Sequence, residues 1–366
     1  MKVAVVVGVA AEYDAISAAA LEQIAALRSL PHVEDVRLFT QGLDSDPGCT
    51  CFVTGNPWQL LRHPEFRSCD VAIFHWGIHF ALFDAITLLG ASQLPTPVVH
   101  FHNCTPPSLV EEIHRDQLMQ SIRQFHHVIA MRTPLWTHSE FNRRTLIDWG
   151  AAESQIEWVP FPIPVPERRR APRRGDSIHL LSVGRLVPAK GVHVLLDALT
   201  ALPDPLLERI RLRVVSHTTF SSDDYRDALE EKIRDAGPLL AKAVEFVVSP
   251  SDAALERLYQ DSDVVISASF HEGLCVPVIE AYAAGCRAIG TAAGNLPYIV
   301  FPPDPLVPPG DAPALAEAIE RVVADLVVDD PDYHARCREL VDSFSARRAS
   351  AMLQRALTDV VEHSSA

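Results

Sequence analysis

Short apolar runs alternate with amphipathic helical segments along this chain, and one proline- and arginine-rich stretch interrupts the alternation near its middle. Before the break, residues 3–9, 36–39, 70–75, 97–102 and 135–139 read as strands, and 156–160 close this half. Helical spacing covers 13–28, 80–89, 108–127 with Ser108 as cap and Glu111 and Glu112 in the first turns, and 140–149. The stretch 41–57, rich in Gly, Asp, Ser and Pro, reads as a loop. The break itself, FPIPVPERRRAPRRGDS over 161–177, has no apolar period and reads as a solvated linker. After it, strands are predicted at 178–183, 212–215, 244–248, 263–266 and 287–290. Helices are predicted at 191–202, 223–236, 252–261, after Pro277, 313–328 and 345–362. Repeated strand–helix alternation on both sides of a linker predicts an α/β chain of two doubly wound domains. Ligands of such sheets bind beyond the carboxyl ends of the strands.

With 366 residues, 48% of them hydrophobic and 22% charged, the chain has enough apolar material for two cores. No run is long and apolar enough for a membrane span, and the apolar N-terminus reads as a first strand rather than a signal peptide. Seven scattered cysteines form no zinc or disulfide pattern, and a reduced cytoplasm is expected. A net charge of −15 argues against nucleic acid and anionic membranes as partners. Residues 1–150 hold 10 Lys+Arg against 15 Asp+Glu, with no basic cluster, which favours a soluble acceptor for any group this half handles.

The stretch 269–287, SFHEGLCVPVIEAYAAGCR, carries the most chemistry. Glu272 and Glu280 flank Gly273, Leu274, Cys275 and Pro277, in the order strand, tight loop, helix opened by proline, and stop at Gly285. Such a helix start offers backbone N–H groups and positive dipole charge to an anion, and Glu280 is placed in its first turn. Taken singly, each glutamate is more economically a helix or surface residue. Upstream, Gly184, Arg185 and Lys190 follow a predicted strand. A planar guanidinium and a compact ammonium suit a diphosphate, although ordinary loop charges would read the same. Lysine occurs only at 2, 190, 232 and 242, which adds weight to Lys190. No Walker loop and no Gly-x-Gly-x-x-Gly motif is present.

These strings resemble the nucleotide-sugar site of retaining glycosyltransferases of the GT-B fold, family 4 or group 1. The resemblance rests on His271–Glu272–Gly273–Leu274–Cys275–Val276–Pro277 with Glu280–Ala281, and on Gly184, Arg185 and Lys190. Leu274 stands where a phenylalanine is common, and Tyr298 after Gly294–Asn295–Leu296–Pro297 replaces a common glutamate. His100–Phe101–His102–Asn103–Cys104–Thr105–Pro106–Pro107 and Ser139–Glu140–Phe141–Asn142 resemble the family's N-domain segments. Val9–Ala10–Ala11 after Gly8 departs from its usual second glycine.

The resemblance implies two Rossmann-like domains facing a cleft. Residues 1–163 would bind acceptor, 164–177 link, 178–344 bind the nucleotide sugar, and a helix at about 345–366 would cross back to the first domain. It implies sugar transfer from a UDP- or GDP-sugar to a soluble small-molecule or saccharide acceptor, with retention and without metal or other cofactor. In its same-face mechanism the leaving phosphate helps deprotonate the acceptor. His102 and Asn103 would contact the donor sugar and orient the substrates. Arg185 and Lys190 would clamp the diphosphate, Glu272 hold sugar hydroxyls, and Glu280 hold the ribose. Val248 and Ser249 would meet the base, and Gly273, Leu274 and Cys275 would supply N–H groups. Gly8, His75, Ser139 and Gly184 are further substrate-side candidates; Ser139 serves equally well as a helix cap, and His100 with His102 form a metal-like pair that lacks further ligands. Asp44–Ser45–Asp46 has metal-motif spacing, but the loop reading leaves it without an adjacent strand. An NDP-sugar hydrolase or epimerase of the same fold, or a non-catalytic nucleotide-sugar-binding subunit, are the alternatives.

Overall fold

The computed structural model describes every residue except 12–13, 45, 90–94, 111, 165–175, 218–220, 329 and 365–366. Most of the expected linker therefore lies outside the described residues. The chain divides into unit 1, Met1–Ile163 with Ser343–Ala366, and unit 2, Pro164–Asp342. Ser343 and Phe344, expected in the second domain, belong to unit 1, where Ile163 N–H donates to Phe344 O at 3.0 Å and Trp158 meets the Phe344 ring edge-on.

Unit 1 is built on seven strands, β1 (Lys2–Ala10), β2 (Asp35–Leu43), β3 (Cys51–Val53), β4 (Val71–Trp76), β5 (Thr96–Phe101), β6 (Leu135–Thr137) and β7 (Ile156–Trp158). They pair in parallel in the order β3-β2-β1-β4-β5-β6-β7, which reverses direction between β1 and β4. β-Branched Val3, Val5 and Val7 and alternate Val71, Ile73 and Val98 bury one face under helix Ala15–Arg28 and helix Ala346–Ser364. Ala72, Phe74, Trp76, Val99 and Phe101 bury the other face with Leu118, Phe125 and Val128 of helix Glu112–Ala130. Apolar residues on both faces are what a fully covered parallel sheet requires.

Unit 2 carries β8 (Ile178–Val183), β9 (Ile210–Ser216), β10 (Val244–Val248), β11 (Val264–Ser267), β12 (Arg287–Thr291) and β13 (Leu306–Val307), parallel in the order β10-β9-β8-β11-β12-β13. Its switch point lies between β8 and β11. Leu180, Leu212, Val264 and Ile289 face one core, while Leu181, Val215 and Val265 face another.

Several boundaries differ from expectation, each for a local reason. The loop reading of 41–57 missed β3, a three-residue edge strand too short to show alternation. It also missed that β2 runs to Leu43, so a strand does adjoin the Asp44–Ser45–Asp46 stretch, of which Ser45 lies outside the described residues. Residues 80–89 form a 3-10 turn, Ala81–Asp84, and a four-residue helix, Ala85–Leu88, instead of one helix. Ser108 sits inside the turn Pro107–Leu109 and does not cap the helix that follows from Glu112; Glu111 lies outside the described residues. The first helix starts at Ala15, where Asp14 accepts from Ser17 N–H. Helix Pro331–Ser343 was not anticipated; Tyr333 and Tyr282 hydroxyls both donate to Asp304, which pairs with buried Arg287.

Candidate functional site

In unit 2 the loops after β8 and β11, on both sides of the switch point, bring Lys190 and Glu272 together. Lys190 Nζ meets Glu272 Oε1 at 2.7 Å, and Ser269 Oγ donates to the same oxygen at 2.6 Å. The lysine stem lies over Gly184, 3.7 Å from where a Cβ would stand. Gly191 has φ +68°, and a Cβ there would come within 2.0 Å of Ala268 O, so only glycine allows the β8 loop to approach the β11 loop. Gly294 does the same on the other side, with φ +55° and a virtual Cβ 2.1 Å from Glu272 O. Asn295 N–H then donates to Glu272 O at 2.8 Å and Asn295 Nδ2 to Leu274 O at 3.1 Å, fixing the Glu272–Cys275 turn. Sequence reading noted the Gly294 loop without seeing this buttress.

Helix Val276–Ala284 begins one residue before Pro277, with Cys275 in the left-handed region at φ +67°. Glu280 is therefore its fifth residue rather than part of its first turn. It accepts from Tyr259 Oη at 2.5 Å, and burial pushes its carboxyl up to about 7 against the lowering effect of that hydroxyl. Tyr259, fully buried, carried no signal in the sequence beyond an apolar helix position. Arg185 is exposed. Val248 ends β10 and is 36% exposed, and Ser249 turns the chain at φ +49° with its N–H on Ser216 O. The Lys190 ammonium paired with the Glu272 carboxylate, on the loops after β8 and β11, suits a polyhydroxy anion.

In unit 1 the strand-end residues form a second group. His75 ends the His75–Trp76 tip of β4, His100 lies in β5, His102 follows β5 and His138 follows β6. Their rings stack or tilt at centroid distances of 4.8 to 5.4 Å. His75, His100 and His102 bring ring nitrogens within 4.8 Å of one another, so His75 supplies the third imidazole that the sequence reading did not find beside His100 and His102. Burial holds His75 and His138 down at about 3 and His100 and His102 well below their ordinary value, so all four are neutral. Gln23, 1% exposed, reaches them from helix Ala15–Arg28.

Asn103 has φ +135°, and its Nδ2 donates to Asn142 Oδ1 at 2.6 Å. Asn142 also donates to His102 O at 3.2 Å, which makes it a brace that sequence reading quoted only as part of a motif. Ser139 Oγ accepts from Asn142 N–H at 3.1 Å and caps helix Glu140–Asp148, the structural role allowed for it. Gly8 was expected after β1 facing a ligand; it lies inside β1, and the Phe80 ring fills its open side, 2.0 Å from a virtual Cβ.

Among the described residues no helix is long and apolar enough to cross a membrane. Residues 166–339 match the family model described as glycosyl transferases group 1. A D-inositol 3-phosphate glycosyltransferase of Corynebacterium glutamicum (strain R) is 30% identical over 191 residues, 49% of this chain and 43% of that one. Its counterpart from Kineococcus radiotolerans is 27% identical over 277 residues, 70% and 62% of the two chains. The chain thus spans less than half the length of the first of these relatives. HepE of Anabaena in complex with UDP superposes with a TM-score of 0.76 at 17% identity, over 98% of this chain and 100% of that one. A sucrose-phosphate synthase of Thermosynechococcus elongatus gives 0.75 at 18%, over 99% and 100%. These likenesses and the two parallel sheets give the chain the GT-B fold. The match to the group 1 glycosyl transferases falls on residues 166–339, which make up most of unit 2.

Proposed function

We propose that the protein transfers a sugar from a nucleoside diphosphate sugar, with retention, to a soluble small-molecule or saccharide acceptor. The observation that carries this reading is the Lys190–Glu272 pair on the loops that follow β8 and β11, with Arg185 on the same loop as Lys190. A diphosphate leaving group gains negative charge as the glycosidic bond breaks. Fixed cations aimed at it stabilise that transition state more than the ground state. Lys190 and Arg185 take this part, in place of a metal ion. Lys190 is held by Glu272; a bound diphosphate shares it and leaves Glu272 to take sugar hydroxyls. Glu280 accepts from the ribose hydroxyls, beside the Tyr259 hydroxyl. The UDP complex of the similarly folded HepE makes uridine the first base to test.

Calorimetry with UDP, GDP, ADP and TDP in metal-free buffer tests the reading. One nucleotide is expected to bind selectively, with affinity lost in both Arg185→Ala and Glu280→Ala. Unchanged affinity in both variants would remove the proposal. Turnover of the donor without any acceptor would instead favour a hydrolase or epimerase of the same fold.

A further inference from the structure

Four imidazoles of unit 1, buried His75, His100 and His138 and half-buried His102, are joined into one line of hydrogen bonds, and a single amide sets its direction. Gln23 Oε1 lies 2.9 Å from His75 Nε2. A carbonyl oxygen only accepts, so His75 carries its proton on Nε2, and its Nδ1 is an acceptor. His102 Nε2 lies 2.8 Å from that Nδ1 and must donate to it. On the other side Gln23 Nε2, which only donates, lies 3.2 Å from His100 Nδ1. His100 therefore carries its proton on Nε2 and donates to His138 Nδ1 at 3.3 Å. Every ring is then neutral and protonated on Nε2, and no donor faces a donor. Reversing the amide would move all four protons to Nδ1.

We infer that Gln23 is a positioning residue: acting through His75, it fixes His102 with Nε2 as donor and Nδ1 as a bare acceptor at the end of β5. A bare imidazole nitrogen accepts from a hydroxyl, which suits a polyol substrate. This functional consequence rests on the glycosyl-transfer reading, whereas the proton order does not. Gln23 itself touches no substrate. Its helix covers the β1–β4–β5 face, and a buried amide at this place satisfies two ring nitrogens that would otherwise lack partners. The order also employs His75 Nδ1 and Nε2, His100 Nδ1 and Nε2, and His102 Nε2 within the protein, which leaves this three-imidazole group no open set of lone pairs for a cation.

Nitrogen-15 spectra of histidine-labelled protein, without any substrate, test the order directly, because protonated and bare ring nitrogens resonate far apart. The expected result is Nε2–H for all four rings. Nδ1–H at His75 and His102, or tight zinc binding that abolishes these signals, would overturn the inference. Gln23→Glu offers acceptors only, so His100 and His138 are expected to switch to Nδ1–H while His75 and His102 keep Nε2–H. In Gln23→Leu the His102 order is expected to be lost. Transfer rate should fall about tenfold to a hundredfold in Gln23→Leu, the scale of a lost outer partner, and recover largely in Gln23→Glu. An equal loss of rate in both variants would assign Gln23 a merely structural role. If no transfer is found with any donor, the function proposed above fails, and the spectra still decide the proton order.

Discussion

The two strand-end groups solve the same placement problem with opposite chemistry. Unit 2 presents ions: Lys190 is paired to Glu272, and Glu280 leans on a tyrosine hydroxyl. The group in unit 1 is instead made of four neutral rings joined through the Gln23 amide, beside the Asn103–Asn142 amide pair. An ionic cluster can exchange partners when a charged ligand arrives. A buried neutral line keeps its geometry, because each proton is committed by the next acceptor. The ionic group is thus suited to gripping a leaving group, the neutral group to holding a fixed pattern of donors and acceptors.

The contrast can be broken most forcefully at Lys190. Lys190→Met should lower the transfer rate by about a hundredfold to a thousandfold, the scale of a lost transition-state donor. It should also lower stability, because Glu272 is left buried without its cation. Adding Glu272→Gln should restore the melting temperature and not the rate; a rate that recovers with stability would show the pair to be purely structural.

Acid separates the groups next. Below about pH 6.5 unfolded histidines bind protons that the buried rings refuse. The unfolded state then holds more protons, and stability falls as pH falls toward 3. His75 and His138 each contribute about 2 kcal/mol to this loss at pH 5. Urea midpoints from pH 8 to 5 should trace the slope, and it should flatten in His100→Leu. A pH-independent midpoint would mean that the rings are charged or accessible.

Glu280 has the opposite sign. Its carboxyl is raised in the folded state, so between about pH 4.5 and 7 the folded protein holds the extra proton and stability falls as pH rises. Glu280→Gln should therefore stabilise the ligand-free protein at pH 8 by up to about 3 kcal/mol, while nucleotide affinity drops about tenfold. Loss of both stability and affinity would place Glu280 in the framework alone. The smallest effect belongs to Gly8→Ala, which should cost about 1–2 kcal/mol by displacing the Phe80 ring, with nucleotide affinity unchanged in calorimetry.

The ionic group was legible in the sequence because its parts are short contiguous strings. Glycines, a proline and charges at fixed offsets report a strand–loop–helix junction without knowledge of the rest of the chain. The neutral group was legible only in fragments. His102 and His75 stood out as strand ends, but Gln23 lies among alanines and leucines of a buried helix face, and nothing local marks it. Tyr259 and Asn142 were hidden in the same way, since their partners lie 21 and 39 positions distant. Gly8 misled because glycine signals a close approach without naming what approaches; here it is Phe80, 72 positions later. The doubly wound fold was readable from alternation alone, whereas β3 and the helices around residue 60 are too short to impose a period.

Helix Ala346–Ser364 places Leu353, Ala356, Leu357 and Val360 in the core of unit 1 with strands made some 300 residues earlier. Unit 1 therefore cannot close its apolar core until these residues have been made, and they follow the whole of unit 2 in the chain. The middle of the protein is free to mature first, and the beginning waits for the end. Because Ile163 and Phe344 are joined by a hydrogen bond, that middle enters and leaves through one seam, like a cassette. A chain stopped short of residue 346 would carry a finished second unit on a first unit that exposes the bare face of its sheet, a natural target for proteolytic clearance.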